Sequence, residues 1–231
     1  ISDYTLQSCI SDVCTTFTRS VSTSTSVKVT GLTKGTAYTF KVAAVNAAGT
    51  GVYSTPSSPA VTPRAVPGTP TNVAGVVGNG QVALTWTAPV NNGAAITDYV
   101  VESCTGGVCV PFTHVASGSA LMTVTGLSNG AAYTFQIAAV NAAGAGGVVT
   151  SGSFTPRTVP DAPSGVRAVA DNTGGVDVSW TAPQFNGGAS LSDYVIEYAK
   201  GNDDFKVFAD STSTNTSVKV TGLAKGSEYD F

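Results

Sequence analysis

The residues best suited to chemistry are four cysteines in two pairs of equal spacing. Cys9 and Cys14, and again Cys104 and Cys109, have four residues between them. Each pair follows an alternating apolar stretch that opens on an Asp-Tyr step, Asp3-Tyr4 or Asp98-Tyr99. If the members of a pair oppose each other across a hairpin, the ladder brings them to the Cα separation that a disulfide needs. Three outcomes stay open at this level: hairpin disulfides, free thiols, or a metal or redox centre. A zinc site takes four ligands, and the chain has one histidine, His114. A third alternating stretch carries Ala199 where the first cysteine would fall, so the pattern does not require a bridge. Two bridges of this kind imply an oxidising compartment, and so a secreted or cell-surface protein.

The remaining candidates are weaker. His114 has no nucleophile beside it in the sequence and reads as a surface or sheet residue. Asp203-Asp204 after Gly201-Asn202 has the carboxylates of a calcium contact, but its composition is that of a polar hairpin turn. Asn215-Thr216-Ser217 fits a glycosylation acceptor, relevant only in a eukaryotic secretory route. A Ser-His-Asp or Cys-His arrangement would need a histidine in every active unit. No catalytic, cofactor-binding or metal-ligating residue is therefore assigned, and the chain reads as non-enzymatic.

What must position the cysteines is a stretch that recurs. Val29-Thr30-Gly31-Leu32 followed by Gly35 to Gly49 returns as Val124 to Gly144, and its opening returns at Val220. The offsets are 95 residues from Leu32 to Leu127 and 96 from Leu127 to Leu223, the period of one small domain. Within it Tyr38, Phe40, Val42 and Ala44 alternate with Thr39, Lys41 and Ala43. That period of two predicts a strand, because a helix would scatter Phe40 off the face shared by Tyr38 and Val42. Further strands are predicted at Val82-Leu84-Trp86, Tyr99-Val101, Met122-Val124 and Tyr133-Phe135-Ile137. Their third-repeat counterparts are Val176-Val178-Trp180, Tyr194-Ile196-Tyr198 and Val218-Val220. Many short alternating strands with turn signals between them predict antiparallel β-sandwiches.

At this point the residues resemble the fibronectin type III family. The resemblance rests on the proline-rich entry, on Trp86 and Trp180 ending the second strand, and on Asp98-Tyr99 and Asp193-Tyr194 opening the third. It rests also on a Leu-to-Tyr spacing of six, at Leu32 to Tyr38, Leu127 to Tyr133 and Leu223 to Tyr229, which is similar to the tyrosine corner of immunoglobulin-like sandwiches. The resemblance covers essentially the whole chain and implies an all-β fold of tandem sandwiches. Its Ala/Thr/Gly-rich dialect, as in Asn46-Ala47-Ala48-Gly49, is similar to modules of secreted bacterial proteins.

Three modules are expected: 1–64, N-terminally truncated; 65–158, complete; and 159–231, C-terminally truncated. Two nine-residue junctions, Thr62 to Pro70 and Thr155 to Pro163, hold three prolines each and predict semi-stiff links. Charged residues are 11% of the chain against a usual value of about 25%, and the net charge of -3 with no basic run excludes a nucleic-acid footprint. No apolar run reaches the roughly 18 residues of a membrane span. The Asn/Gly turns Asn91 to Ala95 and Asn186 to Ala189, with the turns after Asn46 and Asn141, lie where binding loops often sit. They contain no Arg-Gly-Asp, through which some family members bind integrins, and no exposed Trp, Tyr or Arg. The expected role is a spacer or display array whose partners are neighbouring domains of the same chain and whose loops are replaceable. The alternatives are carbohydrate- or protein-binding modules, or accessory modules of a secreted polysaccharide-degrading enzyme.

Overall fold

The computed structural model describes residues 1–231 and consists of strands and turns. The first repeat holds β1 (Asp3–Ile10), β2 (Val13–Phe17), β3 (Thr39–Asn46) and β4 (Gly49–Thr50). The second holds β5 (Thr71–Gly78), β6 (Gln81–Thr87), β7 (Ile96–Thr105), β8 (Val108–Pro111), β9 (Leu121–Thr125), β10 (Thr134–Asn141) and β11 (Gly144–Thr150). The third holds β12 (Ser164–Ala170), β13 (Val176–Thr181), β14 (Glu197–Lys200), β15 (Lys206–Val207), β16 (Ser217–Val220) and β17 (Tyr229–Asp230). The sheets run β2-β1-β3-β4; β5-β6-β9 and β11-β10-β7-β8; then β12-β13-β16 and β15-β14-β17. The chain is thus all-β: a single antiparallel sheet in the first repeat, followed by two antiparallel β-sandwiches in tandem.

Two compact units form. One comprises Ile1–Ala74, Thr85–Met122 and Thr134–Gly152, and the other Gly75–Leu84, Thr123–Tyr133 and Ser153–Phe231. The division passes through the second repeat: its loops that meet the first repeat belong to the first unit, and those that meet the third belong to the second.

Alternation along the strands produces the buried faces. In β10, Phe135, Ile137 and Ala139 are fully buried and pair with Ser103, Val101 and Tyr99 of β7. Trp86 meets Tyr99 edge to face, with ring centroids 4.8 Å apart, a geometry worth about 0.5–1.5 kcal/mol beyond area burial. The third repeat repeats the device with Trp180 and Tyr194 at 5.0 Å, packed beside a cluster of Val178, Ile196 and Val220. The first repeat has a single sheet, β2-β1-β3-β4, and the corresponding face has no second sheet over it. Phe40 and Val42 stand where Phe135 and Ile137 do, and with Tyr4, Leu6, Val29 and Leu32 they line a groove of about 740 Å³.

The Leu-to-Tyr spacing has a local cause in all three repeats. Tyr38, Tyr133 and Tyr229 each accept a hydrogen bond through Oη from the residue after the leucine, namely Thr33, Ser128 and Ala224, at 3.1, 3.1 and 3.0 Å. Leu32, Leu127 and Leu223 are half-buried beside these turns. One expected strand is shorter than its counterpart. Tyr194 and Ile196 precede β14, which ladders with β17 only at Ala199↔Asp230 and Lys200↔Tyr229. The β7 ladder with β10 extends from Ile96 to Cys104. The β14 ladder stops short because its partner strand has only Tyr229 and Asp230 before the last residue, Phe231.

Candidate functional site

Cys9 and Cys14 are opposed across β1 and β2, and Cys104 and Cys109 across β7 and β8; each pair is joined as a disulfide. Cys9 and Cys104 point to the buried side, and Ala199 occupies the same kind of buried place in the third repeat. The bridges close the tips of hairpins, leaving no free thiol for nucleophilic or metal chemistry.

His114 stands not on a sheet but in the segment after β8, where it forms a clip. Asp98 Oδ1 accepts from the Ser117 N–H and from His114 Nε2, both at 3.0 Å, while His114 Nδ1–H donates to the Phe112 carbonyl at 3.1 Å. With acceptors on both ring nitrogens, only the imidazolium donates to each. Burial opposes its charge, but the Phe112 carbonyl and the Asp98 carboxylate outweigh this and hold the imidazole above its ordinary value. Burial likewise opposes ionisation of Asp98, and the Ser117 N–H and His114 hold its carboxyl below the usual range.

The first repeat has the same clip with a permanent cation. Asp3 Oδ1 accepts from Ser22 N–H at 2.9 Å and from the Arg19 guanidinium at 2.8 Å. In the third repeat Asp193 Oδ1 accepts from Ser213 N–H at 2.9 Å, with Ala209 and Asp210 where the cation would stand. The clip is built with an arginine, a histidine or neither, and what all three repeats share is the aspartate that accepts a backbone N–H and fastens a connection.

Other acidic positions are structural as well. Asp171 pairs with Lys219 at 2.6 Å and accepts from the Thr173 and Gly175 N–H groups; these partners, Lys219 foremost, hold its carboxyl far below the usual range. Asp203 and Asp204 are exposed beside a turn closed by Asp203 N–H to the Lys200 carbonyl. Asn215 is exposed, its N–H bonded to Ser213 Oγ. Tyr53 lies against the first repeat's sheet, its hydroxyl 3.3 Å from Thr5 Oγ1.

The loop tips are the informative places. At the first joint Gly35 N–H donates to Pro63 O, Ala65 N–H to Asn92 O and Gly68 N–H to Val90 O, each at 2.9 Å. At the second, Gly130 N–H donates to Pro156 O, Thr158 N–H to Gly187 O and Asp161 N–H to Phe185 O, at 2.9, 2.8 and 3.0 Å. Each linker is thereby zipped along the Asn/Gly turn of the repeat that follows it. That turn is itself built the same way in both, with Gly93 N–H donating to Asn91 Oδ1 and Gly188 N–H to Asn186 Oδ1. Asn92 Nδ2 adds a bond to Val66 O at 2.8 Å.

Asn141 finishes the first joint. It follows a register shift in the β7–β10 ladder, which frees its side chain from the regular alternation. Its Nδ2 donates to Ala65 O at 2.9 Å and Asn91 O at 2.8 Å, and its Oδ1 accepts from Ala143 N–H at 2.8 Å. Asn141 is buried to 4% exposure, whereas its counterpart Asn46 makes the same Asx turn on the surface. The loops at the first joint are more than turns: their backbone carbonyls accept from the linker, and the Asn92 and Asn141 amides donate to it. Sequence reasoning missed Asn141 and Asn92 as linker ligands, since asparagine beside glycine reads as turn chemistry alone.

The sequence profile of the Fibronectin type III domain matches residues 1–60, 68–153 and 161–231. The chain belongs to the fibronectin type III family. It is similar to the receptor-type tyrosine-protein phosphatase F of Mus musculus, with 28% identity over 88% of this chain and 11% of that protein. It is also similar to exoglucanase B of Cellulomonas fimi, with 32% identity over 90% of this chain and 19% of that protein. The chain therefore spans about a tenth to a fifth of the length of these relatives. Among solved structures, the chicken CNTN1 FN1-FN3 domains align over 99% of this chain and 81% of that one at 21% identity, with a TM-score of 0.39. Repeats of this family thus occur as modules both in receptor-type proteins and in a glycan-degrading enzyme.

Proposed function

We propose that the chain is a non-catalytic spacer and display array of an extracytoplasmic protein, holding other domains of its parent chain apart. The observation that carries this reading is the use of the loop ends. The Asn/Gly turns, which in a binding sandwich would face a ligand, are spent on the linker and the preceding repeat at both joints. The near identity of the repeats adds support: Gly35 to Gly51 and Gly130 to Gly146, each a strand with its flanking turns, agree at 13 of 17 positions, where ligand surfaces would need individuality. The paired disulfides support an oxidising compartment. A sandwich of this size contributes a reach of about 30 to 35 Å per repeat from strand rise plus end loops.

A second reading is favoured by the similarity to an exoglucanase: the array as an accessory stretch of a secreted polysaccharide-degrading enzyme, either as spacer or as glycan contact. Retention of the 231-residue chain on an insoluble glucan separates a glycan contact from a spacer, and the spacer reading expects none. In the parent protein, removing one repeat is expected to impair function, while exchanging it for an unrelated repeat of equal length with intact joints preserves it. The opposite pattern refutes the spacer reading and leaves the binding-module reading standing.

A further inference from the structure

We infer that Gly93 and Gly188 are sockets that lock successive repeats together, each receiving the glycine hairpin of the repeat before it. This goes beyond the spacer reading, since a locked joint would orient binding surfaces equally well. The hairpin glycines Gly35, Gly130 and Gly226 share one conformation, with φ of +80°, +84° and +75°. Gly226 holds it with nothing within 4 Å of a built Cβ, so the left-handed backbone belongs to the turn and not to the contact. At Gly35 and Gly130 the turn meets a neighbour. A Cβ on Gly35 would lie 3.2 Å from Gly93 Cα, and one on Gly130 would lie 3.1 Å from Gly188 Cα.

The opposite substitution is more severe. A Cβ on Gly93 would run into Gly35 N and reach 2.7 Å from Pro63 O, placing it inside the Gly35 N–H to Pro63 O hydrogen bond. A Cβ on Gly188 would run into Gly130 N and reach 2.8 Å from Asn129 C. Every obstructing atom is backbone, so no side chain is able to swing away. The first linker is held on its other flank too: a Cβ on Gly146 would run into Pro67 O. Two backbones at van der Waals contact, with the linker zipped between them, leave no slack for a hinge. Joint stiffness is then set by this glycine contact and by the linker hydrogen bonds, more than by the three prolines of each linker. The partner each socket takes is a Leu-x-x-Gly hairpin, as at Leu32 to Gly35 and Leu127 to Gly130.

The test is residue-resolved amide hydrogen exchange by NMR on the whole 231-residue chain, comparing Gly93→Ala, Gly188→Ala and Gly126→Ala. Gly126 also has a left-handed φ, +76°, but nothing within 4 Å, so its variant isolates backbone strain from contact. Gly93→Ala is expected to reduce protection at Gly35 and Ala65 by about tenfold or more while Thr158, Phe135 and Ile137 keep theirs. Gly188→Ala is expected to do the reverse, exposing Gly130 and Thr158 and sparing Gly35 and Ala65. Gly126→Ala should leave all four joint amides unchanged. Equal loss at both joints from either variant, or loss from Gly126→Ala matching that from Gly93→Ala, overturns the lock. If Gly93→Ala unfolds its surroundings and lowers Phe135 and Ile137 as well, Gly188→Ala decides: selective loss at Gly130 and Thr158 sustains the lock, and uniform loss ends it.

Discussion

Tyr99 and Tyr133 of the second repeat are both buried, at 0% and 9% exposure, but only one hydroxyl is satisfied. Tyr133 Oη accepts the Ser128 N–H at 3.1 Å, whereas Tyr99 Oη is enclosed without a hydrogen-bond partner. Phenylalanine at each position removes one oxygen and preserves the ring. At Tyr133 it deletes a hydrogen bond worth about 0.5–1.5 kcal/mol and strands an N–H, for a total cost of about 1–2 kcal/mol. At Tyr99 it removes an unmet desolvation cost, so the outcome is neutral to about 1 kcal/mol stabilising. The two variants should therefore separate by about 1–3 kcal/mol, and at about 4–8 °C per kcal/mol for a domain of this size the melting temperatures separate visibly. Urea denaturation followed by Trp86 emission, in a Trp180→Phe background, reads the second repeat alone. Its neighbour at 4.8 Å is Tyr99 itself, so circular dichroism should be recorded in parallel. A Tyr99→Phe cost equal to or above that of Tyr133→Phe, at unchanged denaturant slope, would refute the reasoning.

The His114–Asp98 clip makes a pH prediction. The folded His114 value is raised, so its contribution is complete below the unfolded value of about 6.5 and is lost as pH rises through the folded one. Asp98 is lowered, so its contribution is present above about 3.9 and is lost as pH falls through its folded value. Stability of the second repeat should thus fall across neutral pH, and His114→Arg, which copies Arg19, should flatten that fall; an NMR titration of His114 with a midpoint at or below 6.5 would contradict it. Removing the Cys104–Cys109 bridge by alanine substitution should lower stability by about 2 kcal/mol, from the chain entropy of a six-residue closed loop. Reduction should leave the third repeat's unfolding midpoint unchanged, as that repeat has no cysteine, and a shift there would show coupling not carried by the bridges.

The repeat, the strands and the buried faces were legible because each depends on neighbours one or two residues away. Phe135 and Ile137 alternate with Gln136 and are buried as the alternation requires. Trp86 and Tyr99 are separated by a turn, and both lie on the apolar phase of their strands, so their meeting follows from pattern plus pairing. The equal cysteine spacing restricted the options to a hairpin pair, a thiol pair or a metal ligand set. Tyr38, Tyr133 and Tyr229 could be placed by their distance from a leucine because the hydrogen bond they accept is only five residues away.

The joints were not legible, because they depend on what another segment brings. Asn46 and Asn141 occupy the same residue pattern and make the same Asx turn, yet only Asn141 is buried, because a linker carbonyl lies against its amide. Gly93, at φ +91°, reads as one more turn glycine; what the sequence does not show is that a Cβ there would also run into Gly35, far off in the chain. Local sequence determines which conformations a turn can take; it carries no periodic signal for which backbone will lie against that turn. The sequence by itself therefore determined the strands, their buried faces and the number of repeats, and only the tertiary structure decided how one repeat is fastened to the next, because that fastening depends on which linker backbone a distant turn or asparagine amide meets.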